Sequence, residues 1–385
     1  MDTFMEIEEK VVFGKPSFTI SNRNIELSVT RQGGQMAPVV FYKDSENPVK
    51  PYFISPWQTE PEEPEEPNLK PLRGDFFCMP CGLPKAFREE GFMVHGETAT
   101  GNWQFEDFSN EDGLQTLALR MNTNLRKGSV RKTLSIREGS NAIYIRHELS
   151  GYQGSFSFGH HAILAVPKEN GSLIYSSSPF QFGYTQPRNP SEFGNNGEYF
   201  FLDSGKKFSS LKKVPTIWKE QPEIDCTDYP TAAGFGGLVQ FYNNQNSTPA
   251  WSAAYFPKEN YVWFALKDAR ILPATVLWIE NKSRHGHPWN GRTCCLGIED
   301  NCVAIGDDEF NLGLRQDLER NSICFEHCLE PEQVVRVSHI QGVQRVPDDF
   351  GQIENIIFNE NSITLVSQSG KMTEADVEWK FIYNQ

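Results

Sequence analysis

The chain has 385 residues, 38% of them hydrophobic, with 28 Phe, 12 Tyr and 8 Trp; this is enough apolar material for a large core and excludes a disordered protein. A formal net charge of −14, with no Lys/Arg-rich run to offset it locally, would repel phosphate backbones and excludes nucleic acid as an expected partner. No uninterrupted apolar run reaches membrane-spanning length, and the first ten residues place Asp2, Glu6, Glu8 and Glu9 where a signal peptide has a basic start and an apolar stretch. The expectation is a soluble, cytoplasmic protein with no membrane partner.

Apolar residues alternate with polar ones at Ile25, Leu27 and Val29, then at Leu117, Leu119 and Met121, at Ile143, Ile145 and His147, at Val335 and Val337, and at Ile363 and Leu365. Period two over four to eight residues marks half-buried strands. Gly33-Gly34, Asp112-Gly113 and Glu138-Gly139-Ser140 punctuate them as turns, as in antiparallel sandwiches and meanders. Helical periodicity is scarce, and residues 312–318 are its best short example. The chain therefore reads as all-β, a large antiparallel β-sandwich, with no fixed-period repeat and no long linker to divide residues 1–385 into more than one domain. The acidic, Pro/Glu-rich stretch over residues 59–70 cannot pair in a sheet and reads as a solvated loop leading straight into Arg73.

Eight cysteines in a chain of this size are weak grounds for a disulfide framework. Cys78-Met79-Pro80-Cys81 has the spacing of a redox or zinc half-site, with Cys294, Cys295 and Cys302 as a conceivable complement. The redox reading wants a helix starting at the motif, where Gly82-Leu83-Pro84 follows instead, so buried free thiols are the preferred reading. With no clustered His/carboxylate set and no second CxxC, neither a metal nor a cofactor is expected.

Proton chemistry is written more clearly. Arg73 in Leu72-Arg73-Gly74-Asp75 cannot lose its charge and must find a carboxylate, with Asp75 close by, or a polar cavity. His95 stands before Gly96, and His160 and His161 follow Gly159 at the head of the run Gly159-His160-His161-Ala162-Ile163-Leu164. In a strand those two histidines point to opposite faces, so one of them at most enters a shared cavity. Glu299 closes the apolar run Cys294-Cys295-Leu296-Gly297-Ile298-Glu299, where a carboxylate is costly unless paired or functional, and Glu280 after Trp278-Ile279 competes with it. Trp278, Trp103 and above all Trp289, in the loop Pro288-Trp289-Asn290-Gly291, offer flat faces for a sugar ring, although large aromatics are often simply core.

In chain order, Arg73, His95, His161 and Glu299 resemble the galactose mutarotase-like (aldose 1-epimerase) family. The resemblance implies a single large sandwich with a sugar site on a concave face. His161 matches the family's second histidine better than His160, but the family's usual Asn-His-x-Tyr-Phe form is absent, and Asp300 stands where proline often follows the catalytic base. Either Asp225 or Asp228 would fill the family's sugar-binding acid. By this likeness Glu299 is the base and His161 the acid of anomer interconversion, with Arg73, His95, His160, Trp289 and Glu280 as sugar-binding candidates and a free or phosphorylated aldohexose as partner. A non-catalytic sugar-binding protein and a carbohydrate-cleaving enzyme are the alternatives on the same fold.

Overall fold

The computed structural model describes residues 7–82, 84–188, 197–245, 248–306 and 310–383. Strand accounts for 48% and helix for 8%, so the all-β expectation holds. Among the described residues two large antiparallel sheets dominate. The first has eleven strands in the order Lys10–Val12, Lys15–Ser21, Ile25–Thr30, Met36–Phe41, Asp75–Cys78, Gly159–Ala165, Cys294–Asn301, Ala274–Asn281, Phe235–Asn243, Phe180–Thr185 and Lys207–Phe208. The second has nine, running Asp228–Tyr229, Leu173–Ser177, Ala250–Phe256, Tyr261–Lys267, Val335–Arg345, Ala142–Ser150, Gly128–Arg137, Leu114–Thr123 and Gln104–Glu111.

The alternation read from the sequence is the alternation that fills the sandwich. Leu27 and Val29 of the first sheet meet Leu117, Leu119, Ile143, Ile145 and Val337 of the second in one buried cluster, joined by Leu277, Leu296 and Ile298. Each such side chain contributes about 1.5–3 kcal/mol on burial. The Asp112-Gly113 signal is a two-residue hairpin between the last two strands of the second sheet, both residues at positive φ (49° and 76°), as the twist of the flanking strands requires.

One layer was not expected. Strands Ile353–Phe358, Ser362–Ser367 and Met372–Asp376 form a three-stranded sheet that covers the outer face of the nine-stranded one, so Ile363 and Leu365 pack on Val262, Phe264 and Leu266 outside the sandwich. This explains why Ala250–Phe256 and Tyr261–Lys267 are buried along their whole length: both of their faces are covered. The short helical signal is a helix at Leu312–Arg320, while Lys85–Glu89 and Gly96–Thr100 are short helices with no periodic signal. No helix of the described residues is long and apolar enough to cross a membrane.

Candidate functional site

The strand Gly159–Ala165 pairs with Asp75–Cys78 on one side and with Cys294–Asn301 on the other. Its register, with Gly159 opposite Asn301 and Ala162 opposite Ile298, sets His161 directly across from Glu299 and His160 across from Asp300. Period two then separates the two pairs: His161 and Glu299 project from the outer face, while His160 and Asp300 project into the sandwich. His161 Nε2 lies 3.3 Å from Glu299 Oε1. The imidazole stacks on Phe76 (ring centroids 4.6 Å apart) and meets His95 at 5.1 Å and Trp278 at 5.8 Å, both edge-on. Gly297 makes this approach possible, since a Cβ there would lie 2.9 Å from Trp278 Cβ and 3.5 Å from His161 Cε1.

His161, Glu299, His95 and Trp278 line a cavity of 620 Å³, within the range that holds a small molecule. His95 joins it from a left-handed turn (φ 65°) ahead of Gly96–Thr100, with Cys78 Sγ 3.4 Å from its Nδ1. Gly96 is required, because a Cβ there would fall 1.9 Å from the Met79 carbonyl oxygen. Trp289 and Trp278 give two aromatic walls, 5.8 Å apart and T-shaped, backed by Trp57. The acidic loop supplies another wall through Glu66, Asn68 and Leu69. It is tied down where Arg292 donates to Glu60, Lys15 to Glu63, and the Trp57 indole to the Leu69 carbonyl. A larger groove of 880 Å³ lies over the opposite end of the same sheet and contains no histidine.

Burial governs the acid–base character of the pair. It pushes the Glu299 carboxyl up to about 7, against the pull of His95 and Arg284. It drives His161 well below the ordinary imidazole value, helped by His95 and opposed by Asp75. His95 is lowered by burial too, with Glu299 opposing. Both partners of the close pair are thus biased toward their neutral forms, which places the resting proton on Glu299 rather than on His161.

Other sequence candidates lie elsewhere. Arg73 does not reach the cavity: its guanidinium is buried and donates to the carbonyl oxygens of Val12 (3.0 Å), Phe13 (2.9 Å) and Pro71 (3.1 Å) and to Gln58 Oε1 (2.7 Å). Four neutral acceptors replace the expected carboxylate or sugar, because the turn after Lys10–Val12 folds over the segment that leads into Asp75–Cys78 and carries Arg73. His160 faces the interior, bound to Asp75 Oδ2 at 3.0 Å. Glu280 is also withdrawn, accepting bonds from the Ser283 backbone and hydroxyl and from Arg284. Asp225 and Asp228 line a separate pocket with Lys168 and Lys282, and Trp103 is core, its indole donating to the Thr98 carbonyl.

Arg284 was missed. Held by Glu198 (2.9 Å) and Glu280 (3.1 Å), it lies over both Trp278 (5.1 Å) and Trp289 (4.9 Å) and lines the cavity, as do Arg88, Arg188, Gln186 and Asn301. The four-residue spacing from Glu280 was its only trace in the sequence. The cysteines are all free, and five of them are buried. Among the described residues no group of three or more His, Cys, Asp or Glu side chains is arranged to hold a metal ion.

The solved structures decide the fold. A galactose mutarotase-like protein from Clostridium acetobutylicum superposes with a TM-score of 0.60 at 10% identity, over 89% of this chain and 99% of that one. This is the galactose mutarotase-like fold. A galactose mutarotase related enzyme from Lactobacillus acidophilus gives 0.54 at 14% identity, over 86% and 98%. A candidate mutarotase from Salmonella typhimurium gives 0.57 at 10%, over 88% and 97%. No protein-family model and no curated protein matches the sequence. At these identities the galactose mutarotase-like likeness extends to the fold, and the chemistry has to be argued from the cavity.

Proposed function

We propose that the protein is an aldose 1-epimerase-like mutarotase that interconverts the α and β anomers of an aldohexose by general acid–base catalysis. The contact between His161 Nε2 and Glu299 Oε1, 3.3 Å apart at the wall of a tryptophan-lined cavity, carries this reading. Ring opening needs one group to take the proton from the anomeric hydroxyl and another to give one to the ring oxygen. Ring closure on the other face of C1 reverses the two transfers. A pair that holds one proton between two adjacent groups serves both halves.

The sequence likeness assigns the base to Glu299 and the acid to His161. The burial-driven bias of the pair favours the converse start, with His161 accepting the hydroxyl proton and Glu299 supplying the ring oxygen. Either way the same proton inventory is conserved over a full cycle. Arg284, rather than Arg73, is the cation that would stabilise charge developing on oxygen, and Trp289 and Trp278 would receive the C–H faces of the ring. Each acid or base contributes about 10²–10⁴-fold, which suffices for a reaction that already proceeds in water.

Polarimetry on freshly dissolved α-glucose and α-galactose, together with their 6-phosphates, tests the proposal. Accelerated approach to the anomeric equilibrium with at least one of them is the expected result. Sugar binding without acceleration would replace this reading with that of a binding protein.

A further inference from the structure

Behind the Glu299–His161 pair, on the inner side of the same two strands, lies a buried polar network with no part in the proton transfers above. Asp300, the residue after Glu299, accepts from Lys267 Nζ (2.8 Å) and Thr275 Oγ1 (2.7 Å) at Oδ1, and His339 Nε2 sits 2.9 Å from Oδ2. His339 and Lys267 are opposite each other on neighbouring strands of the nine-stranded sheet, so both reach Asp300 from across the core. The His339 ring also stacks on His160, the residue before His161, with centroids 4.3 Å apart, and His160 is in turn bound to Asp75.

The network has a direction. The Trp263 indole donates to Tyr52 Oη (3.2 Å), Tyr52 donates to Gln341 Oε1 (2.6 Å), and Gln341 Nε2 donates to His339 Nδ1 (3.3 Å). A ring nitrogen that accepts from an amide leaves the proton on the other nitrogen, so His339 is the donor to Asp300. Every member is buried, His160 Nε2 and Asp75 Oδ1 alone lacking a partner among them, and the buried hydrogen bonds that run from Trp263 through His339 to Asp300 strengthen one another. Its two ends on the first sheet, Asp300 and His160, are the chain neighbours of the two groups in the cavity.

We propose that His339 is a positioning residue for the Glu299–His161 pair, acting from the opposite sheet by donating to Asp300 and stacking on His160, so that the two strands stay in the register that keeps the pair in contact. The inference rests on the proton-transfer reading above. The charged and titratable groups lining the cavity around the pair are His95, Arg284, Arg88, Arg188, Glu66, Glu198 and Cys81, with Cys78 beside His95 and with Asp75 and Asp300 on the inner side of the same sheet, so loss of the His339 donor leaves the Asp300 charge less compensated one residue from Glu299.

The experiment compares wild type, His339→Leu and His339→Gln in anomer-exchange kinetics and in NMR of the histidine rings. His339→Leu should lower kcat about 10–100-fold with KM within about threefold and shift the alkaline limb of kcat/KM upward; His339→Gln, which keeps a donor, should recover most of kcat. The His161 ring resonances should move in the Leu variant and return toward wild type in the Gln variant. A folded His339→Leu variant with lower Tm but unchanged kcat, pH profile and His161 resonances would overturn the proposal. If that variant does not fold, Gln341→Leu takes its place: a smaller loss of kcat in the same direction supports the brace, and none overturns it. If wild type shows no anomer exchange at all, the functional reading fails, and the His161 resonances alone decide: movement supports the brace, its absence overturns it.

Discussion

Glu299 and Asp300 are consecutive residues of one strand and have opposite acid–base character. Burial raises the Glu299 carboxyl to about 7 because nothing fully compensates it, whereas at Asp300 the same burial is outweighed by Lys267 and His339, which hold it far below the usual carboxylate range. The outer carboxyl is poised to exchange a proton near neutral pH. The inner one is a fixed charge.

From the outer carboxyl follows the effect of removing it. Glu299→Gln keeps the size and loses the titratable group, so the anomer-exchange rate should fall by at least about 100-fold while sugar affinity stays within several-fold. His161→Asn should behave alike. Steady-state kinetics on both variants checks this, and a variant with an intact rate would remove its residue from the mechanism.

The pH profile has a worked sign. The working pair carries one proton. Glu299, raised, loses it as pH climbs through about 7, and His161, lowered, gains a second one well below the ordinary imidazole value. A plot of kcat/KM for the free enzyme should therefore fall on the alkaline side with a midpoint near 7 and hold up on the acid side to below the usual histidine range. Replacing Glu299 should abolish the alkaline limb.

Arg73 gives a contrasting prediction. Its donors clamp the turn at Val12 and Phe13 onto the sheet, so Arg73→Met leaves three carbonyl oxygens and Gln58 short of a donor and should cost about 3 kcal/mol in denaturant unfolding. The folded fraction should keep its kcat and KM. A large loss of kcat at unchanged stability would return Arg73 to the cavity.

Much of this was legible from strand periodicity and some of it was not, for physical reasons. Alternation separates His160 from His161 and Glu299 from Asp300 because neighbouring strand residues must face opposite ways. It also predicts the sandwich, since Leu27, Leu119 and Ile145 each need a covered face. Alternation says nothing about what covers the second face, so the layer over Phe264 and the apolar purpose of Ile363 stayed hidden. Arg73 illustrates a second limit: which loop carbonyls fold over an arginine depends on residues sixty positions away. Arg284 sits in a loop, where no period exists to read, although the aromatic in the same loop, Trp289, was legible from its type and setting; His339 meets Asp300 only because two sheets are stacked.

Asp300 supports a stability prediction. Asp300→Asn leaves Lys267 buried without its counter-charge, and breaking a buried pair in this way should destabilise the protein by about 3–5 kcal/mol in denaturant unfolding. A carboxyl depressed in the folded state contributes stability above its unfolded value of about 4 and loses it as the pH falls toward the folded one. The wild type should therefore lose stability through acid pH more steeply than the variant.

The most direct measurement is saturation-transfer NMR between the α and β anomeric protons of an aldohexose at equilibrium, with wild type and Glu299→Gln at equal concentration. Wild type should transfer saturation between the anomers well above the uncatalysed exchange, and the variant should fall back to near that background. Transfer that is equal for the two proteins, or absent from wild type across glucose, galactose and their 6-phosphates, would contradict the account.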